Sequence, residues 1–140
     1  MIDLLPGIQS TSSALNAERI RTEVITQNIS NSMTGRGADG RIYSRQRVVF
    51  ESVLRQQSGL DGASGVPPSD VSVKIEDDPR PPRLIPDPSN PGKMLEMPDI
   101  NVHEEFADLI VSQRAYEANL AAAKSSRTMA LQTLSIGRRV

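Results

Sequence analysis

The sequence lacks cysteine and has a single histidine, His103, in 140 residues. The absence of cysteine excludes disulfides, thiolate metal sites and cysteine nucleophiles. With one histidine, the chain also has no pattern of nucleophile, base and orienting group that would predict an active site. The residues therefore indicate a protein that is not an enzyme, and we expect no cofactor and no bound metal.

Large apolar side chains are scarce. Hydrophobic residues make up 37% of the chain, with two tyrosines and two phenylalanines as the aromatic residues. Globular domains average roughly 45–50% apolar residues when glycine is counted. The chain therefore has few apolar side chains with which to form a hydrophobic core of its own. This favours burial of apolar side chains between subunits.

The sequence has neither an excess of one charge nor a long apolar run. Its 16 basic and 17 acidic residues give a net charge of −1, which supplies no broad attraction to nucleic acid or to an anionic membrane. No apolar run is long enough to cross a bilayer, and Met-Ile-Asp-Leu-Leu-Pro at the start lacks the regions of a cleaved signal peptide. We expect no nucleic-acid partner, no direct membrane insertion and no cleaved signal.

Several short motifs match known sites only in part. Gly35-Arg-Gly-Ala-Asp-Gly40 spells G-x-G-x-x-G, but it follows a helical pattern and precedes a strand pattern, which is the reverse of a dinucleotide site. His103-Glu104 begins H-E-x-x-H, but residue 107 is alanine. We interpret the first as a loop, the second as a surface turn of a helix, and Asp77-Asp78 as a solvated turn rather than a cation site.

A basic cluster precedes the middle of the chain. It consists of Arg36, Arg41, Arg45 and Arg47. Nucleic-acid binding would favour stacking aromatic residues within such a patch, and only Tyr43 is interleaved. We expect these arginines to face acidic neighbours or another subunit.

Both ends of the chain have the periodicity of amphipathic helices. Residues 8–33 contain no proline or glycine, and Pro6 and Gly7 mark the expected start of the first helix. Asn101, three residues before Glu104, has the spacing of a capping box and predicts the start of the second helix. Apolar residues recur at three-and-four spacing in both segments, with polar interruptions. These positions are Ile8, Leu15, Ile25, Ile29, Phe106, Leu109, Tyr116, Leu120 and Leu134.

The segment between the helices has a different character. Residues 35–100 hold nine of the ten prolines and favour β-branched apolar residues. Strand patterns occur at residues 41–54, 71–76, 84–85 and 94–97, and residues 58–68 are typical of a loop. The sequence thus predicts an α+β protein with an N-terminal assembly helix (1–34), a β-rich insert (35–100) and a C-terminal assembly helix (101–140).

Two stretches resemble a known family. Gln27-Asn-Ile-Ser-Asn-Ser-Met-Thr-Gly35 is similar to the N-terminal signature of bacterial flagellar axial proteins, through Asn28, Asn31, Thr34 and Gly35. Ser112-Gln-Arg-Ala-Tyr-Glu-Ala-Asn119 resembles the C-terminal signature, through Arg114, Tyr116 and Asn119. The middle of the chain is similar to that of the proximal-rod members of the family, although the turn between Pro91 and Met97 is shortened.

The resemblance carries specific expectations. It implies that the terminal helices pack as a coiled-coil-like pair and interlock with neighbours in a multi-subunit tube, with the β-rich middle outward. It implies a structural subunit of the proximal rod of the flagellar basal body, which transmits torque across the periplasm. The partners would be other copies, other rod proteins and the flagellar type III export apparatus, which exports the chain without a cleaved signal. The residues on the apolar stripes then become the candidates for the assembly interface.

A second class of function is compatible with the same helices. A soluble helical adaptor or export chaperone of a secretion system could use them for a different partner. The two classes differ in dilute solution, because an adaptor is already helical whereas the ends of a rod subunit become ordered when neighbours bind.

Overall fold

The computed structural model describes residues 5–54 and 69–137, and within them the side chains of residues 10–51 and 71–137. The elements run in the order α1 (Leu5–Asn31), β1 (Arg45–Leu54), β2 (Ser69–Asp78), β3 (Arg83–Pro86), β4 (Met94–Met97) and α2 (Val102–Gly137). The strands form two antiparallel pairs, β1–β2 and β3–β4. This is the expected α+β organisation, and the loop predicted at residues 58–68 lies outside the described residues.

The described part of helix α1 begins at Leu5 and includes Pro6 and Gly7, which the sequence pattern places at the start of the helix. Proline is tolerated in the first turn of a helix because the N–H groups there have no intrahelical acceptor. At the other end, the Ser32 N–H bonds the Ile29 carbonyl at 3.2 Å, which tightens the last turn.

Asn101 caps helix α2. Its Oδ1 accepts a hydrogen bond from the His103 N–H at 3.2 Å, and its Nδ2 donates to Glu104 Oε1 at 3.0 Å. The predicted cap is therefore confirmed, with one difference. In a capping box the glutamate accepts from the backbone of the cap residue, whereas here Glu104 accepts from the side chain of Asn101.

The two helices pack antiparallel. Asn28 of α1 contacts Glu105 of α2. Thr22, six residues before Asn28, contacts Ser112, which is seven residues after Glu105. With the same rise per residue in both helices, this register places Leu5 opposite roughly residue 129. The last two turns of α2, about eight residues, therefore extend beyond Leu5. Neither described helix contains an apolar stretch long enough to span a membrane.

The β1–β2 hairpin pairs from Arg45 opposite Asp78 to Leu54 opposite Ser69. The strand pattern predicted from residue 41 thus begins at Arg45. The interpretation of Asp77-Asp78 as a turn is wrong, because both residues are the last rungs of β2. Arg45 stabilises this end of the ladder, with its Nη1 3.1 Å from Asp78 Oδ2.

The second hairpin, β3–β4, confirms the predicted turn cluster. The Asp87 N–H bonds the Lys93 carbonyl at 2.9 Å, and the Ser89 N–H bonds Asp87 Oδ1 at 2.8 Å. Gly92 has a φ of +112°, a conformation that side-chain-bearing residues rarely adopt. The turn therefore needs glycine at this position.

Few of the described side chains are buried, and half of the buried residues are polar. The buried apolar residues are Ala17, Val24, Ile25 and Ile100. The buried polar residues are Asn28, Ser32, Glu105 and Ser112. Both buried side chains of α2, Glu105 and Ser112, belong to the polar group. Hydrogen bonds between buried polar groups therefore contribute to the packing of the two helices alongside the apolar residues of α1.

Candidate assembly interface and buried polar junction

Asn28 uses the full hydrogen-bonding capacity of its carboxamide at a site where it is 1% exposed. Its Nδ2 donates to the Gln46 carbonyl at 2.8 Å and to Glu105 Oε2 at 3.0 Å. Its Oδ1 accepts from the Gln46 N–H at 3.0 Å and from the Tyr43 hydroxyl at 2.9 Å. A buried amide with two donors and two acceptors satisfied is fixed in one orientation.

Arg45 neutralises the other side of this cluster. Its Nε donates to Glu105 Oε1 at 2.7 Å, and the Glu105 side chain is 1% exposed. Burial disfavours the charged guanidinium, but the hydrogen bond and charge of Glu105, with those of Asp78, together raise the pKa of Arg45 above its ordinary value. A buried carboxylate needs such a partner because an isolated charge is costly to desolvate. We call Asn28, Tyr43, Arg45, Asp78 and Glu105 the polar junction.

Two further members of the junction have shifted pKa values. Burial, and then the charge of Glu105, raise the pKa of Tyr43, so its hydroxyl keeps the proton that it donates to Asn28. Burial alone would raise the pKa of Asp78, but Arg45 and Arg80 together lower it below its usual range. These shifts favour the protonated hydroxyl of Tyr43 and the ionised carboxylate of Asp78, the forms that make the observed hydrogen bonds.

A second polar contact lies between the helices. The Ser112 side chain is fully buried, with its Oγ 3.0 Å from Thr22 Oγ1 and 3.0 Å from Glu18 Oε2. Glu18 and Thr22 are two of the three polar residues, with Thr11, that occupy three-and-four positions within the apolar stripe of α1. The structure brings both against Ser112, whose small side chain lets the helices approach closely.

The candidate interface residues fall into three groups. Ile25 is buried within the chain, and Leu15, Ile29 and Leu109 are half-buried. The exposed members are Phe106 (49%), Tyr116 (39%), Leu120 (37%) and Leu134 (64%). The Ile8 side chain lies outside the described residues. Burial of the exposed group between subunits stays a prediction.

Helix α2 exposes more apolar residues than the stripe includes. With 3.6 residues per turn, Phe106, Ile110 and Leu131 lie on one flank of the face that meets α1. The other flank carries Val111, Met129 and Ile136, which are 55%, 57% and 69% exposed. Of these residues the single stripe includes only Phe106, whereas apolar positions on several sides of a helix are the signal for more than one neighbour.

The residues of the family signatures lie in different surroundings. Asn28 belongs to the junction, whereas Asn31 donates only within its own helix, to the Gln27 carbonyl. The Thr34 N–H closes the turn after α1 by bonding the Asn31 carbonyl at 3.1 Å. Gly35 has open space around it, and the exposed Arg114 pairs with Glu117. Asn119 is half-buried on α2.

One position in the sequence indicates the junction. Glu105 lies four residues before Leu109, so it occupies a position that the helical period assigns to the buried face. Its partner Arg45 belongs to the basic cluster. The expectation that this cluster faces acidic neighbours is confirmed for Arg45, for Arg47 with Glu76 at 3.1 Å and for Arg36 with Glu96. Among the residues that the structure describes, no group of acidic or histidine side chains could hold a metal ion.

Two family models and several known proteins match this chain. Residues 8–36 match the family model described as "Flagella basal body rod protein", and residues 92–136 match "Flagellar basal body rod FlgEFG protein C-terminal". The chain is 35% identical to the flagellar basal-body rod protein FlgC of Borreliella burgdorferi, over 95% of this chain and 97% of the relative. It is 31% identical to FlgC of Yersinia enterocolitica, over 97% and 99%, and 31% identical to FlgC of Bacillus subtilis, over 94% and 97%.

Proposed function

The chain belongs to the FlgC family of flagellar basal-body rod proteins, and on this premise we propose that it is a structural subunit of the proximal rod. In this proposal the subunit polymerises through its terminal helices and transmits torque across the periplasm. The observation that carries it is the surface of α2, which exposes large apolar side chains on two flanks while its buried residues are polar.

The exposed residues supply the driving force for assembly. Full burial of a large apolar side chain contributes about 1.5–3 kcal/mol. Met129, Leu131, Leu134 and Ile136, each between 57% and 69% exposed, lie in the last turns of α2. In the proposed rod a neighbouring helix covers them.

The proposal includes the surroundings of the subunit. Its neighbours are other copies and other rod proteins, so that the coiled-coil-like packing of residues 1–34 and 101–140 continues into a tube. The β-rich insert, residues 35–100, lies on the outside. The flagellar type III export apparatus delivers the chain without a cleaved signal. Membership of a structural rod family supports these points and favours a mechanical role over an enzymatic one.

The test replaces an exposed leucine of α2 by a charge. In the Leu120→Asp variant, a carboxylate has to be desolvated when the neighbour binds, so we expect a soluble chain that does not enter rods. The matched control is Leu84→Asp, because Leu84 is 58% exposed on β3, away from the helices. Rods in isolated basal bodies and swimming of the complemented bacterium are the measurements. Normal rods with Leu120→Asp, or loss of rods with both variants, would contradict the proposed interface.

A further inference from the structure

The Asn28 side chain takes the place of a third strand beside β1. In an antiparallel pair, residues that do not bond each other direct both their N–H and C=O groups away from the partner strand. Gln46, opposite Asp77, directs its N–H and C=O toward Asn28, which bonds both. The carboxamide thus imitates one residue of a neighbouring strand and attaches the outer edge of β1 to α1.

Glu105 determines which way the carboxamide points. Both Nδ2 hydrogens meet acceptors, the Gln46 carbonyl and the Glu105 carboxylate. A reversed carboxamide would place Oδ1 against these two oxygens. Arg45, which precedes Gln46 on β1, bonds the other oxygen of Glu105. The contacts therefore form a closed ring through α1, α2 and β1.

A second attachment lies at the far end of the hairpin. The Val71 N–H of β2 donates to Ser13 Oγ at 3.3 Å, and Val71 pairs with Ser52. Asn28 and Ser13 are about 22 Å apart along α1, and Gln46 and Ser52 are about 20 Å apart along β1. Because the two separations are nearly equal, the hairpin lies along α1.

From this geometry we propose that Asn28 is a positioning residue, which, held by Glu105, sets the orientation of the β1–β2 hairpin on the helix pair. This role goes beyond the proposed assembly, because it belongs to the single chain. It also gives a physical reason for asparagine at this place in the signature. An aspartate at position 28 would keep an oxygen that accepts the bonds from Tyr43 and Gln46, but it would lose the two N–H donors. An alanine would lose all four hydrogen bonds.

The experiment measures orientation rather than stability. Since the chain has no cysteine, Lys74→Cys on β2 and Lys124→Cys on α2 accept two spin labels without background, and both positions are exposed. Pulsed electron paramagnetic resonance then gives the distribution of distances between hairpin and helix. Circular dichroism of the same samples reports helix content, and the distances are read at a protein concentration at which the labelled parent chain is helical.

Four chains are compared in this labelled background. The parent should give one narrow distribution, and Asn28→Asp should broaden it, because a second carboxylate faces Glu105 and the Gln46 carbonyl loses its donor. Adding Glu105→Gln to Asn28→Asp should narrow it again, since the new amide donates to the introduced carboxylate. Asn16→Asp is the matched control, because it introduces the same chemical change at an exposed site on α1. Its distance distribution should resemble that of the parent.

Three results would overturn the proposal. One is a broad distribution in the helical parent chain. Another is an unchanged distribution in helical Asn28→Asp, which would mean that the contact stabilises the chain without orienting the hairpin. The third is a failure of Glu105→Gln to narrow the distribution of the double variant. The labelled chain is diluted with unlabelled chain, so that each distance joins two labels of one chain, and helix content is measured on the same sample. An unchanged distance in helical Asn28→Asp then counts against this proposal alone, whereas absent rods count against the proposed function alone.

Discussion

At the scale of single residues, the main feature is a buried ion pair, and few of the described apolar side chains are buried. Glu105 is 1% exposed, and Arg45 provides its positive partner. Replacing one member of a buried pair leaves the other charge uncompensated, which costs far more than losing a surface pair. The stability of the chain should therefore depend strongly on Arg45.

Arg45 and Arg47 allow a direct comparison. We expect Arg45→Met to lower the free energy of unfolding by about 3–5 kcal/mol, because Glu105 remains buried without a cation. Arg47→Met removes an arginine from the same strand, but the Arg47 side chain is 57% exposed, so its effect should be small. Urea unfolding of both variants at one protein concentration provides the measurement. Equal losses in the two variants would show that burial of Glu105 is not the cause.

At the scale of elements, the start of α2 depends on one side chain. Asn101→Ala removes the acceptor for the His103 N–H, and loss of such a cap costs about 1 kcal/mol. Asn101→Ser retains a good capping residue and should be close to the parent chain. Thermal melting followed by far-ultraviolet circular dichroism compares the two. A melting temperature that is the same for alanine and serine would contradict the capping role.

The elements themselves could be predicted from the sequence, but their junction could not. Period and punctuation located both helices and all four described strands, because these signals are local. Asn28, Arg45 and Glu105 come together across up to 77 positions of the chain, and no local pattern specifies that closure. Only the placement of Glu105 on the buried face of α2 offered a hint.

At the scale of the whole molecule, the small number of buried apolar side chains among the described residues leads us to predict that helix formation depends on neighbours. If assembly orders the ends, the helix content of the full chain should rise with protein concentration, because binding stabilises the folded form by mass action. The Leu120→Asp variant is the control and should show a smaller rise. Far-ultraviolet circular dichroism over a dilution series tests this. Full helix content and amide protection at the lowest concentration would instead favour a helical adaptor.

The attachment of the hairpin at both Asn28 and Ser13 has a mechanical consequence. A hairpin attached to a helix at one point can rotate about that point when a lateral force acts on it. With two attachments about 20 Å apart, the same force is resisted at both contacts. The β1–β2 hairpin is therefore held against rotation about either contact.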